Sequence, residues 1–228
     1  KDVFVVNQAE IFKEISGQRR SIRAYLSKPI PKQIIDEVFT ISSRAPSNCN
    51  IQPWLVHIAS GKVLENLRDI LPKNFSSGDI TFDFPYDGKY EGVYRERQFA
   101  SAKAVYDSIG VTREDKEERQ KQFMRNFTFF DAPHVAFFFL PEPFGLREAA
   151  DLGMFSQTVM LNLTALGLGS CPQTALSFHA DCIRETLGID KSNKLLFGLS
   201  FGYPDEESPV NTCRTERADL DDLVTYHE

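Results

Sequence analysis

Cysteine is scarce in this chain: four in 228 residues, at Cys49, Cys171, Cys182 and Cys213. No two of them form a CxxC pair, and no Cys/His set lies close enough in sequence to suggest zinc, so no metal is expected. So low a density fits a reduced, cytoplasmic protein better than a disulfide scaffold. Long apolar runs are missing too. The longest, Val135–Leu140, falls far short of the ~20 residues a membrane helix needs. The opening KDVFVVNQAE lacks the basic-then-apolar layout of a signal peptide. Nor is there an excess of positive charge. Lys+Arg 26 against Asp+Glu 32 gives a net charge of -6, which argues against a general nucleic-acid binder. Any anion site must therefore be local. No internal repeat and no break in composition marks a second domain, and neither a GxGxxG nor a P-loop pattern occurs. The four histidines, His57, His134, His179 and His227, are scattered and none reads as catalytic.

What is present reads as a mixed α+β chain. Asn7 is placed to cap a helix through about Ser16, and Pro31 opens another whose stripe of Ile34, Ile35, Val38 and Phe39 runs to about Arg44. Trp54–Ala59 reads as a strand, followed by a helix from Gly61 to Leu71. Residues 72–92, with Pro72, Gly78, Pro85, Gly88 and Gly92, read as a long loop. Two charged helices near 92–109 and 113–126 follow, the second capped by Thr112. Val135–Leu140 is apolar throughout, as a strand buried on both faces would be. A helix near 147–166 carries Leu152, Phe155, Val159, Met160 and Leu163 at core spacing. GLGSCPQTAL then reads as a Gly-rich turn, 179–187 as a helix and Lys194–Tyr203 as a last strand.

Three segments carry chemistry. RRSIRAY at Arg19–Tyr25 gathers three arginines. If extended, it sends Arg19, Ser21 and Arg23 to one face and Arg20 and Ile22 to the other. Two guanidiniums and a hydroxyl on one side suit a phosphate; taken alone, the run reads first as a solvated basic loop. APSNCNIQPW offers Ser47, Asn48, Asn50 and Gln52 between the stiffening Pro46 and Pro53, as a rigid polar loop for a planar heterocycle or as a plain helix-to-strand connection. In GLGSCPQTAL, Pro172 presents a flat apolar face, and the N–H groups of Thr174 and Ala175 could reach a ligand. PVNTCRTER adds Arg214 and Arg217 near the end of the chain.

Together RRSIRAY, APSNCNIQPW, ALGLGSCPQTAL and FGLSFGYPDEESPVNTCRTER, in that order, resemble the FMN-dependent nitroreductase family. The middle segment FPYDGKYEGVYRER with REDKEERQKQFMRNFTFFDAP resembles its nitrobenzoate and nitroaromatic reductase branch. The resemblance implies an α+β fold with a central, mostly antiparallel sheet wrapped by helices. It also implies one domain over 1–228 with a substrate-covering insertion near 72–126, and an intertwined homodimer holding FMN at its interface. By motif position, Arg19, Arg20, Ser21 and Arg23 would hold the FMN phosphate or the pyrimidine end of its ring, and Arg214 the phosphate. Pro46, Ser47, Asn48 and Asn50 would come across from the partner subunit. Pro172, Gln173 and Thr174 would lie against the buried flavin face. Two positions depart from the family: Thr212 stands where many relatives have a basic residue, and Thr174–Ala175 where some have Glu-Gly.

The implied activity takes electrons from NADH or NADPH and passes them to nitroaromatic, quinone or related small acceptors in a ping-pong cycle, with the flavin rather than a side chain supplying the redox chemistry. Tyr86, Tyr90, Tyr94 and Arg97 are the candidate acceptor-binding residues, or else simply pack an insertion on the sheet. A reductive dehalogenase of halotyrosine-like substrates on the same fold, and a flavin-binding protein without turnover, stand as alternatives.

Overall fold

The computed structural model describes residues 7–228; Lys1–Val6 of the opening stretch lie outside them. Among the described residues seven α-helices surround a four-stranded antiparallel sheet. The helices are α1 (Gln8–Gln18), α2 (Lys32–Ser42), α3 (Gly61–Ser77), α4 (Gly92–Ser108), α5 (Lys116–Met124), α6 (Leu146–Ala165) and α7 (Ala180–Leu187). The strands β1 (Leu55–Ser60), β2 (His134–Pro141), β3 (Gly169–Gln173) and β4 (Asn193–Gly202) lie in the order β1-β2-β4-β3.

The continuous apolar run of β2 is explained by its central position. Strand side chains alternate between faces. Ala136, Phe138 and Leu140 pack with α6 (Leu152, Phe155, Val159, Leu163) and α2 (Ile35, Val38). Val135, Phe137 and Phe139 pack on the other side with Leu64, Leu67 and Leu71 of α3 and Ile183 of α7. Two helical layers thus sandwich the sheet, giving the α+β class the sequence led us to expect.

Four local expectations are corrected. Pro31 is the N-cap of α2 rather than its first helical residue. The 72–92 stretch is not all loop, because α3 runs through Pro72 and ends at the left-handed Gly78. Pro72 cannot donate to the preceding turn, but Phe75 beyond it stacks on Phe127 with ring centroids 4.5 Å apart, and that packing carries the helix on. Asp115, not Thr112, caps α5, accepting from the Glu118 amide at 3.0 Å. GLGSCPQTAL contains strand β3, paired with β4, followed by the short 3-10 turn Thr174–Phe178.

Candidate functional site

The arginine segment is extended and fixed along the sheet. Ser21 bridges Ser170 of β3, Tyr25 bridges Pro204, and the Ile22 amide donates to the Ser170 carbonyl at 2.9 Å. The Tyr25 hydroxyl donates towards the carbonyls of Ile22 at 2.9 Å and Ser200 at 3.1 Å. Extended backbone then sorts the side chains. Ile22 and Ala24 are buried, while Arg19, Ser21 and Arg23 are half-buried and line a common cleft. Arg20 reaches the edge of that cleft, but its guanidinium donates to Glu206 at 2.9 Å and to the Asn211 carbonyl at 3.2 Å.

Asn211 joins the two ends of the chain here. Buried in the short turn Pro209–Thr212, it accepts from the Arg23 amide at 2.8 Å. It also donates to the carbonyls of Ala24 and Asp205, both at 2.8 Å. This clasp brings Arg214 and Arg217 to the cleft that Arg19 and Arg23 line. The cleft has a volume of about 270 Å³, and Ser16, Ser21, Ser101, Cys213 and Thr215 complete its polar wall. No carboxylate lines it. Among the described residues, Arg19, Arg23, Arg214 and Arg217 have no salt-bridge partner. Arg19 accordingly has a lowered pKa, from burial first and the positive charge of Arg217 second. It stays charged, so four unpaired guanidiniums, beside the Glu206-paired Arg20, crowd a pocket with no carboxylate on its wall. Their chemistry calls for a compact anion.

A second cleft of about 260 Å³ adjoins this one through Arg23 and Ser101. It is walled by Cys171 and Pro172 of β3, Gln98, Val105 and Tyr106 of α4, and Asn126 and Phe130. Together the two approach the size of an ordinary small-molecule site. Burial pushes the Cys171 thiol up in pKa, with the opposing pull of Arg23 smaller. Strand alternation in β3 leaves Pro172 exposed and Gln173 buried, with Thr174 exposed just beyond. The Gln173 side chain is already committed: it donates to Asn126 at 3.0 and 3.2 Å and accepts from the Ser200 hydroxyl.

The other expected residues lie apart. Pro46, Ser47, Asn48 and Asn50 line neither cleft. Their loop is anchored on α6, where the Asn48 amide donates to the buried Asp151 carboxylate at 3.1 Å. Cys49, Asn50 and Gln52 all take positive φ, and the loop is tied internally by Gln52 N–H to Ser47 Oγ at 2.9 Å. Backbone held in this region is found where surrounding structure fixes a functional loop. Tyr86 packs on Phe178 with ring centroids 5.8 Å apart, and Tyr90 and Tyr94 are exposed. The Arg97 guanidinium lies 5.9 Å from the Tyr94 ring centre. None of these four lines either cleft. Sequence reading missed Asn211, although it lies within PVNTCRTER, as well as Asp151, which carries no motif, and the α4 residues Gln98 and Ser101, since α4 shows no apolar stripe.

A family model described as the nitroreductase family matches residues 17–203. Nitroreductase NfnB of Mycolicibacterium smegmatis is 37% identical over 222 residues, covering 97% of this chain and 94% of the relative. A 4-nitrobenzoate reductase of Pseudomonas putida is 33% identical over 208 residues, covering 90% and 91%. Among solved structures, the FMN-dependent nitroreductase NfnB from Mycobacterium smegmatis in complex with NADPH superposes with a TM-score of 0.92 at 37% identity. It covers 96% of this chain and 99% of that one. The FMN and NADPH-dependent NfnB of Sphigopyxis sp. strain HMH does so with a TM-score of 0.92 at 32% identity, covering 95% and 99%.

Proposed function

The chain belongs to the nitroreductase family, and from that membership we propose that it is an FMN-dependent oxidoreductase carrying electrons from NAD(P)H to nitroaromatic acceptors. The observation that carries the reading is the cleft of four guanidiniums with neither a carboxylate on its wall nor a salt-bridge partner. A phosphomonoester supplies the missing charge and accepts bidentate bonds from arginine, so the residues present fit FMN.

In this reading Arg19, Ser21 and Arg214 hold the phosphate, with Arg20 behind them fixed to Glu206. Arg23, at the junction of the two clefts, faces the ring, and Pro172 and Thr174 lie along one side of it. Gln173 contributes through its backbone, because its side chain is engaged with Asn126 and Ser200. When bound, FMN supplies the redox chemistry. The residues of the chain hold it, orient it and place positive charge beside it. NADPH, the dinucleotide in the similar solved structure, is the donor we favour, and donor and acceptor use one site in turn. Quinones belong to the same acceptor range.

Pro46, Ser47, Asn48 and Asn50 line neither of the two clefts, yet their loop is tied internally and carries exposed polar groups. We assign it to the flavin of a second copy, in a homodimer. The segment near 72–126, with Tyr86, Tyr90, Tyr94 and Arg97, covers the acceptor as an insertion within one domain over 1–228. Among the described residues no helix is long and apolar enough to cross a membrane. We place the enzyme in the cytoplasm, in keeping with its four free thiols.

The test is direct. Purified protein should be yellow, release FMN on denaturation, and oxidise NADPH when nitrobenzoate or nitrobenzene is added without oxygen. Initial rates at several acceptor concentrations should give parallel double-reciprocal lines. A colourless protein that refuses added FMN defeats the reading, and faster turnover of iodotyrosine than of nitroarenes would reassign the substrate.

A further inference from the structure

The arginine cleft holds more positive charge than one phosphate uses. A phosphomonoester carries a charge of about -1.5 to -2 near neutral pH, which Arg19 and Arg214 match. Arg23 sits where the two clefts meet, beside Cys171 and Pro172. Arg217 is left over. It is exposed, and its guanidinium donates only to its immediate neighbours, the Thr215 carbonyl and hydroxyl at 3.0 Å and the Glu216 carbonyl at 2.9 Å. Those bonds all use one nitrogen, Nη1, leaving the rest of the donor fork for a ligand. The adjacent Glu216 does not pair with it. Its positive charge is felt at Arg19, where it opposes that residue's own. A second anionic group at the rim of the cleft would relieve this repulsion.

We propose that Arg217 is a specificity-determining residue that binds the 2′-phosphate of NADPH and so sets the preference for NADPH over NADH. The proposal rests on the reading of the chain as an FMN-dependent NAD(P)H oxidoreductase. The two dinucleotides differ in one phosphate, a dianionic monoester on the adenosine ribose. A planar guanidinium with free donors suits a monoester better than it suits a neutral ribose hydroxyl. The position is also suitable: Arg217 is exposed on the wall of the cleft, whereas Arg19 is half-buried, so a donor arriving from solvent can meet it without displacing Arg19 from the FMN phosphate.

The experiment uses FMN-loaded wild type, Arg217→Gln and Arg217→Lys, with a neutral nitroarene so that acceptor charge plays no part. Steady-state kinetics with each donor are read beside direct titration with NADP+, NAD+ and adenosine 2′,5′-bisphosphate by calorimetry. Arg217→Gln should lower the ratio of kcat/KM for NADPH to that for NADH by roughly tenfold or more, the scale of one charge-assisted bond to phosphate. It should weaken NADP+ and the bisphosphate, but not NAD+, by a similar factor, and Arg217→Lys should recover part of both. Equal changes for the two dinucleotides would overturn the proposal, as would no change in either readout. A fall in FMN affinity larger than the fall in the ratio would assign Arg217 to the flavin phosphate instead. If wild type bound FMN yet oxidised neither dinucleotide, the functional reading would fall and the proposal with it.

Discussion

The buried side chain of Asn211 accepts a hydrogen bond from the amide of Arg23 at 2.8 Å, across 188 positions of sequence. The same side chain donates to the carbonyls of Ala24 and Asp205. One small polar group thus holds both arginine segments against each other. Asn211→Ala would leave the Arg23 N–H without its partner and strip one donor each from the Ala24 and Asp205 carbonyls, which keep the Asp205 and Ser208 amides, at a cost of about 1–3 kcal/mol. Denaturant melts should show that loss. FMN titration should show weakened binding even though Asn211 lines neither cleft. Full FMN affinity in a destabilised variant would mean that the clasp serves only the fold.

The arginines themselves separate by face. Arg19→Ala and Arg23→Ala remove guanidiniums that have no salt-bridge partner, so they should each weaken FMN by roughly tenfold or more, the scale of a charge-assisted bond, with little change in melting temperature. Arg20→Ala should do the reverse. It breaks the pair with Glu206 and the bond to the Asn211 carbonyl, and about 1 kcal/mol of stability goes with them. Fluorescence of released flavin and thermal melts on the three variants decide the matter. Equal FMN losses at all three positions would refute the assignment by face.

Gly169 matters for what its missing Cβ allows. A methyl group there would sit 2.6 Å from Ile22 Cγ1 and 3.0 Å from Ile22 Cβ. The second contact lies at the base of a β-branched side chain with little freedom to turn. Gly169→Ala should therefore push the arginine segment off β3, costing about 1–3 kcal/mol and lowering FMN affinity together. Gly153→Ala, in α6 away from both clefts and with nothing within 4 Å of a Cβ, should lower neither quantity by a comparable amount.

These positions also show where sequence reading stopped. The period-two alternation of RRSIRAY could be read because it needs only an extended backbone, and the burial of Ile22 follows the same rule. The two-sided burial of Val135–Leu140 was equally legible from its unbroken apolar character. Strand β3 was not, since Gly169 and Pro172 are turn residues by local preference. They serve here because Gly169 makes room for Ile22, and because Pro172 stands on the edge strand, where a missing donor is tolerated. Helix α3 outran its proline through the contact of Phe75 with Phe127, a pairing 52 residues apart by number and invisible to any local window. Asn211 and Asp151 are single polar residues whose meaning lies wholly in what tertiary structure brings to them.

Three histidines give the fold a predictable acid limb. His57, His134 and His179 all have pKa values below the ordinary 6.5, burial being the largest cause in each. For His179 the nearby Asp79 pulls the other way more weakly. The unfolded chain therefore binds more protons, so their contribution is fully present above pH 6.5 and is lost as pH falls below it towards the folded values. Melting temperature should decline between pH 7.5 and 5. The individual residues differ in kind. His134 accepts from the Ile30 amide through Nε2 at 2.8 Å, which fixes the neutral ring with its proton on Nδ1, facing Ser60 Oγ at 2.6 Å. Removing it strands the Ile30 amide, so His134→Ala should lose about 1–3 kcal/mol at pH 7.5. No well-formed hydrogen bond reaches either ring nitrogen of His179, the Asp79 backbone beside it making only a weak contact, and its ring packs edge-on against Phe127 with centroids 5.0 Å apart. His179→Phe should thus keep or raise stability at pH 7.5 and make the acid limb shallower. A limb of unchanged slope in that variant would show that His179 takes no part in it.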